Sequence, residues 1–556
     1  MIPTAERGVD DPAGMRVSPS LPVPVSIPTS ASGHRGFLLV GLFFLGALAF
    51  WFFLDHSWPS HDAAGHIRDA QQYKVLLQHP QFWKTAWLEK FFTVNYNYPP
   101  TLHIFNGLLK VAFGDGLSVD RLSLCLFASL LNVTVYATAL LLFDSRRAGV
   151  LAVIFVNCYY LTAFLSHITM LDFPHLSLYS LAMLSFVWWA KSPGWRRAVL
   201  LGLCLGIDAT SKQVAIFYLV GPGVLLLFQS LRQKRMAEVR QLLLSAFICF
   251  GIFLVWPLPN LPAILAYMGR NSSSIGGSSF VADVFWHHLG GYLSSLPEMM
   301  SPLLLAVGLV CAAAARRAWG RMAPFIASAL VGVTLMSVLP FQLPEPRYIV
   351  PVLVGAALVS GYQLSRWLAQ SPPGKWAVSS VVALALVQFV IFNFTPYPLP
   401  LSLAHNVSAL IMPGANDTFR FPTEGGDPWK QVWVVDTIES VERGRPCYLN
   451  VVPNTTEINV HTYELICSMR GSRVSPTTMR LWTPLGDSLS FSSKSMPYFD
   501  WFLAKTGDQG LKLRDAASEQ ASRKIIASLQ DCRRFKLFGV SPLPDGSELQ
   551  LYRRLP

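Results

Sequence analysis

The sequence predicts a polytopic α-helical membrane protein of about 11 spans, with a soluble α/β domain at its C-terminal end. Three observations carry that prediction. Only 14% of the 556 residues are charged and 52% are hydrophobic, where an ordinary soluble chain carries about 25% charged residues. The depletion is segmental: from Phe37 to Phe394, long apolar runs alternate with short basic or polar breaks. After residue 394 charges return and apolar stretches shorten to strand length.

Residues 1–36, with Pro19, Pro22, Pro24 and Pro28 among Ser and Gly, read as a disordered cytoplasmic tail. The first apolar run follows that tail and is long enough to span, so it is read as a helix and not as a cleaved signal. Candidate spans are 37–54, 118–143, 148–166, 173–190, 198–210, 213–229, 241–258, 300–315, 322–340, 348–365 and 376–394. The net charge of +12 suggests nucleic acid at first sight, but its placement excludes that class. Arg146-Arg147, Arg196-Arg197, Arg232 to Arg240, Arg316-Arg317 with Arg321, and Arg366 to Lys375 fall in every second break. That is the positive-inside pattern, and it places the N-terminus in the cytoplasm. The long loop 55–117, the loops 167–172, 259–299 and 341–347, and everything after 394 then face outward.

The domain reading is therefore a tail at 1–36, a transmembrane domain at 37–394 and an outward soluble α/β domain at 395–556. In the last, 431–437, 447–452, 498–503, 535–540 and 548–552 read as strands, and 457–469 and 516–529 as helices. Five of the eight Cys lie in apolar runs; of the rest, Cys447 and Cys467 are a candidate bridge, leaving Cys532 over.

The outward breaks carry residues suited to chemistry. Asp62, in His61-Asp62-Ala63-Ala64-Gly65-His66, is either a base for an acceptor hydroxyl or an ordinary Asp capping an interfacial helix. Asp172, ahead of Phe173-Pro174, is either a second carboxylate of the same cavity or a helix start. Lys212 and Arg347 stand where the positive-inside rule would not put a cation, and each suits an anionic head group; snorkelling is the bland alternative for Lys212. Arg68 is a weaker phosphate ligand, because interfacial helices carry such residues routinely. His61, His66, Tyr98, His167 and Tyr348 are candidate lining of the substrate cavity. His287-His288 lacks a third ligand, and no Cys/His spacing suggests zinc.

Asp62 in a long first outward loop, Tyr98-Pro99-Pro100, Leu171-Asp172-Phe173-Pro174, Ser211-Lys212 and Arg347-Tyr348-Ile349-Val350-Pro351 follow one another in this order. Together they resemble the GT-C membrane glycosyltransferases of the protein O-mannosyltransferase and aminoarabinose (lipid A) transferase type, over about residues 37–365. Ala63 stands where such enzymes usually carry a second acid, and Tyr98 where many carry Lys before Pro-Pro. The resemblance implies a bundle of that type in a bacterial plasma membrane. It further implies transfer of a sugar from a polyprenyl-phosphate carrier to an acceptor (protein, lipid or glycan) on the outer face, with inversion. Asp62 would be the base, Asp172 would order its surroundings or bind sugar hydroxyls, and Lys212, Arg347 and Arg68 would hold the donor phosphate. No metal ligand is assigned and a divalent metal is left open. The rival readings are a secondary transporter, for which Asp208 at the end of a short span speaks, and a non-catalytic scaffold anchoring the outward domain.

Overall fold

The first apolar run forms α1 (Arg35–Leu54), whose only charged residue is its first. The computed structural model describes residues 34–272, 281–339, 344–370, 372–394, 427–478, 496–510, 516–531 and 533–555. The polar tail up to residue 33 and Cys532 lie outside the described residues.

The long first loop is mostly helical. It folds as α2 (His61–Gln78), α3 (Thr85–Phe92) and α4 (Thr101–Phe113). Helix α2 is too polar to cross a bilayer, yet Ala63, Ala64, His66, Ile67, Ala70 and Tyr73 form a buried face at helical spacing. It packs on α4 where Gly107 leaves no room for a side chain: a Cβ there would stand 2.9 Å from the Cβ of Tyr73.

The bundle continues with α5 (Leu117–Phe143), α6 (Arg146–Cys158), α7 (Tyr160–Ser166), α8 (Asp172–Lys191), α9 (Trp195–Ala209), α10 (Ala215–Arg232) and α11 (Met236–Leu254). Then come α12 (Pro257–Ser272), α13 (Val281–Ser294), α14 (Leu296–Met300), α15 (Pro302–Ala314), α16 (Trp319–Val338), α17 (Val352–Gln370) and α18 (Pro372–Phe394). Every expected span has a helix. Among the described residues, however, six helices are long and apolar enough to cross a membrane, or eight if each bent pair counts as one span, so the count of eleven is not established. The expected span at 148–166 breaks between α6 and α7 with a bend of 71°. Its break falls at Tyr159, whose backbone is extended. The loop expected at 259–299 is largely helix, namely α12, α13 and most of α14.

Chain direction sorts the charges. Arg121, near the start of α5, bonds Asp55 at 3.0 Å beyond the end of α1, which marks one end of the bundle. Arg321, beside the start of α16, bonds the carbonyl of Leu142 at 3.3 Å at the other end of α5. Following the helices back and forth, the basic breaks collect at that second end, opposite the Asp62 end.

The C-terminal unit carries α19 (Gln431–Glu442), β1 (Cys447–Val451), α20 (Val460–Arg470), β2 (Val474–Thr477), β3 (Trp501–Lys505), α21 (Ala516–Asp531), β4 (Phe535–Pro542) and β5 (Glu548–Arg554). The sheet order is β2-β1-β3-β5-β4, with β1 parallel to β2 and β3, and β5 antiparallel to β3 and β4. Strand β3 reads Trp-Phe-Leu-Ala-Lys and is buried throughout, because both faces are covered. Trp501 and Leu503 join the core with Val434, Ile438 and Ile466, while Phe502 and Ala504 join the core with Ile525 and Leu529.

Two expectations about this unit are corrected. Residues 431–437 are not a strand but the start of α19. The Asp427 carboxylate accepts from the backbone N–H of Gln431 and Trp433, both at 2.8 Å, and the helical face buries Val434, Val435 and Ile438. Cys447 and Cys467 are not bridged; both are buried free thiols within one apolar core.

Candidate active site

Four stretches of chain bring their polar residues to one end of the bundle. Asp62 lies in the first turn of α2, entered through His61 at a positive φ of 45°. Ser60 precedes that helix without a side-chain cap, so neither it nor Asp62 is spent on the capping role considered from the sequence. Asp172 opens α8, two residues before Pro174, as an Asp-x-Pro helix start does. Lys212 sits in the turn between α9 and α10, and Arg347 in the short 3-10 turn Pro346–Ile349 ahead of α17.

Lys212 Nζ donates to Asp172 Oδ1. Arg347 Nη1 stands 4.0 Å from Asp172 Oδ2 and 3.7 Å from Asp62 Oδ2, while its Nε donates to Glu345. Arg347 is thus the joint between the two carboxylates singled out from the sequence. The ring of Tyr348 lies under both cations, 4.7 Å from Lys212 Nζ and 5.7 Å from the Arg347 guanidinium. Its carbonyl accepts from the hydroxyl of Tyr218 at 2.8 Å, which fixes the turn against α10.

Burial divides the cluster. Asp172 and Lys212 are 2% and 5% exposed, whereas the side chains of Asp62 and Arg347 are 41% and 26% exposed. Burial pushes the Lys212 ammonium below its ordinary range, and the Asp172 carboxylate works against that. Burial also works against the charge of Arg347, but the carboxylates of Asp172 and Glu345 outweigh it and hold the guanidinium above its usual value.

A second layer holds the Lys212 turn. His175 Nδ1 lies 2.9 Å from Asp208 Oδ1, and Ser211 Oγ donates to the same oxygen at 3.2 Å. The Asp208 that favoured a transporter is therefore bonded beside the cluster. Thr101 Oγ1 donates to Thr210 Oγ1 at 2.8 Å, and Gln213 donates to the carbonyl of Asn97. The Tyr98-Pro99-Pro100 turn is thereby tied to the Lys212 turn.

The remaining expected site residues are placed variously. His66 is one turn beyond Asp62, buried, with Nδ1 3.0 Å from His103 Nε2 and the Tyr98 ring edge-on at 4.9 Å. The structure does not bring Arg68 to the cluster; its guanidinium pairs with Glu464 of the C-terminal unit. His61 turns the same way through its backbone, donating to Asn459 Oδ1 at 3.3 Å. His167 stacks on Trp51 at 4.1 Å and lines a small cavity with Phe44, Asn157 and Asn393 inside the bundle.

Sequence reasoning missed Asp69 and His103, which join His66, and Glu464 and Asn459, which hold α2 from outside. Asp69 carried a signal, lying three residues after His66 and so on one helical face. Glu464 and Asn459 carried none.

The chain shares its fold with a solved membrane protein, and several of its helices are long and apolar enough to cross a membrane. Over 94% of this chain and 98% of the other, it superposes on ArnT from Cupriavidus metallidurans bound to undecaprenyl phosphate, with a TM-score of 0.55 at 15% identity. The apo state of the same ArnT gives 0.50 over 93% and 97% at 14% identity. Residues 97–256 match the sequence model of the dolichyl-phosphate-mannose-protein mannosyltransferase family. No curated protein matches the sequence. The resemblance drawn from the five sequence motifs thus holds for the fold.

Proposed function

We propose that the protein is a membrane glycosyltransferase that moves a sugar from a polyprenyl-phosphate carrier to an acceptor hydroxyl at the Asp62 end of the bundle. The observation that carries this reading is the meeting of Asp62, Asp172, Lys212 and Arg347 from four separate stretches at the end opposite the basic breaks. The positive-inside rule supports reading that end as outward-facing, with the C-terminal unit on the same side and the N-terminus in the cytoplasm; a bacterial plasma membrane belongs to the same proposal. The fold shared with an ArnT that holds undecaprenyl phosphate supports a carrier of that class.

The chemistry needs two things from the protein. The acceptor oxygen must lose a proton as it attacks the anomeric carbon, and the phosphate must receive the electrons of the bond that breaks. Asp62, open to the surroundings, takes the proton. Arg347, the more exposed cation, meets the leaving phosphate, with Lys212 behind it. Asp172 orders both cations. A single displacement inverts the anomeric centre. With Ala63 and Tyr98 in place of an acid and a Lys, the base and the phosphate contacts fall to Asp62 and Arg347.

The test is transfer from a panel of labelled polyprenyl-phosphate sugars in purified membranes, comparing the native chain with Asp62→Asn. Loss of a general base lowers the rate by about 10²–10⁴-fold, with protein levels unchanged. Equal transfer by both chains removes Asp62 from the mechanism.

A further inference from the structure

Beside the cluster, but outside the proposed chemistry, three ligand-type side chains meet between α2 and α4. His66 and Asp69 lie one turn apart on α2, and His103 comes from the facing side of α4. One donor atom from each lies within 4.8 Å of the others. His66 Nδ1 is 3.0 Å from His103 Nε2, which is 3.9 Å from Asp69 Oδ2. The three residues are 3%, 5% and 0% exposed.

A simple hydrogen-bonded histidine pair accounts for two of these groups and leaves the third without a cation. Among the described residues, Asp69 has no Lys or Arg within ion-pair range; its polar neighbours are Asn95, which donates to Oδ2, and His103. Of the other buried aspartates of the bundle, Asp55, Asp120 and Asp172 each have Arg or Lys at hand, and Asp208 has His175 at 2.9 Å; Asp69 instead faces a histidine that is itself bonded to a second one. A carboxylate taken out of water without a partner is costly.

We propose that His66, Asp69 and His103 bind one transition-metal dication of the Zn2+ class, clamping α2 to α4. Two imidazole nitrogens and one carboxylate are a donor set for zinc, whereas Mg2+ and Ca2+ ask for oxygens alone. Donors on a tetrahedral zinc stand about 3.4 Å apart for bonds of about 2.1 Å, so the histidine pair opens slightly and the carboxylate moves inward. Asn95, bonded to Asp69, orients that ligand from behind, as outer-sphere partners of metal carboxylates do. Because Asp62 lies one turn before His66, the ion fixes the pitch of the helix that carries it.

The experiment uses the full chain in detergent, free of any affinity tag, stripped with chelator and equilibrated with Zn2+, with metal content read by mass spectrometry. The native chain retains one Zn2+ and its thermal unfolding moves upward. Asp69→Asn, which keeps shape and loses charge, and His103→Gln each lower the Zn2+ affinity by more than about 100-fold. Co2+ in the native chain gives the visible absorption of a tetrahedral N/O site, and Zn2+ bleaches it, a reading that needs no variant. A native chain that holds no Zn2+, or variants that hold it as tightly as the native chain, overturns the proposal. Retention of Mg2+ in preference to Zn2+ overturns it as well. None of these readings depends on sugar transfer.

Discussion

Lys212 and Asp172 are both shut off from water, so removing Lys212 leaves the Asp172 carboxylate buried with Arg347, 4.0 Å away, as its remaining cation. Breaking a buried pair from one side costs about 3–5 kcal/mol, while replacing both partners is often close to neutral. Lys212→Met is therefore expected to lower the thermal unfolding temperature in detergent sharply, and Lys212→Met with Asp172→Asn to recover most of the loss. Equal unfolding temperatures for both single and double variants would show that the pair is not dry. Arg347 is different: it has Glu345 on one side and Asp62 on the other, and under the proposed function it would exchange one of them for the donor phosphate. Glu345, whose side chain is 40% exposed, is the partner most easily released. Glu345→Gln should tighten binding of a polyprenyl-phosphate analogue, read by competition in the transfer assay, and unchanged binding would place the phosphate elsewhere. Asp62, Asp172, Lys212 and Arg347 were legible in the sequence because each is charged in a break on the side away from the basic ones, where polar residues gather at a site. Arg68 lies in an outward break too, and was the weaker candidate because interfacial helices carry such residues routinely. What separates it is Glu464, nearly four hundred residues away, and no local pattern encodes that contact.

Helices were legible for a related reason. Hydropathy is a local property, and each apolar run became a helix, with breaks set by local backbone choices such as the extended Tyr159. The misread element, α19, shows the limit: Gln-Val-Trp-Val-Val is rich in β-formers, yet the Asp427 cap and a buried face of Val434, Val435 and Ile438 decide for helix. Packing between helices rests on small residues. A Cβ at Gly221 of α10 would stand 2.2 Å from the carbonyl oxygen of Ala327 on α16, a backbone atom that cannot swing aside. At Gly251 of α11 a Cβ meets nothing within 4 Å. Gly221→Ala should therefore destabilise by about 1–3 kcal/mol, whereas Gly251→Ala should be neutral or slightly stabilising because alanine favours helix. Thermal unfolding of the two variants side by side checks this, and matched values would mean that α10 and α16 do not cross so closely.

At the scale of the whole molecule, the C-terminal unit grips the helix that carries Asp62. Asn459 Oδ1 accepts from the backbone of His61, Thr462 donates to the carbonyl of Pro59 at 3.0 Å, and Leu465 packs on Ala64 and Ile67. Arg68 and Glu464 close the contact, with His461 Nδ1 3.0 Å from the same carboxylate oxygen. Burial alone would raise the Glu464 carboxyl, but His461 and Arg68 outweigh it and hold it below its ordinary 4.5. A carboxyl whose folded value is depressed contributes stability that is complete above the unfolded value and is lost as pH falls through the folded one. The grip should thus be intact at neutral pH and loosen below about pH 4.5. Hydrogen exchange along α20 and the first turns of α2, followed from neutral pH into that range, should show protection falling in both segments together. Glu464→Gln should start with weaker protection and lose this acid step, because its side chain no longer titrates. If the native chain and the variant follow the same pH profile, Glu464 is not what joins the two units. The Asp62 helix would then be held to that unit by the Asn459 and Thr462 hydrogen bonds and the Leu465 contact, and to the bundle by α4.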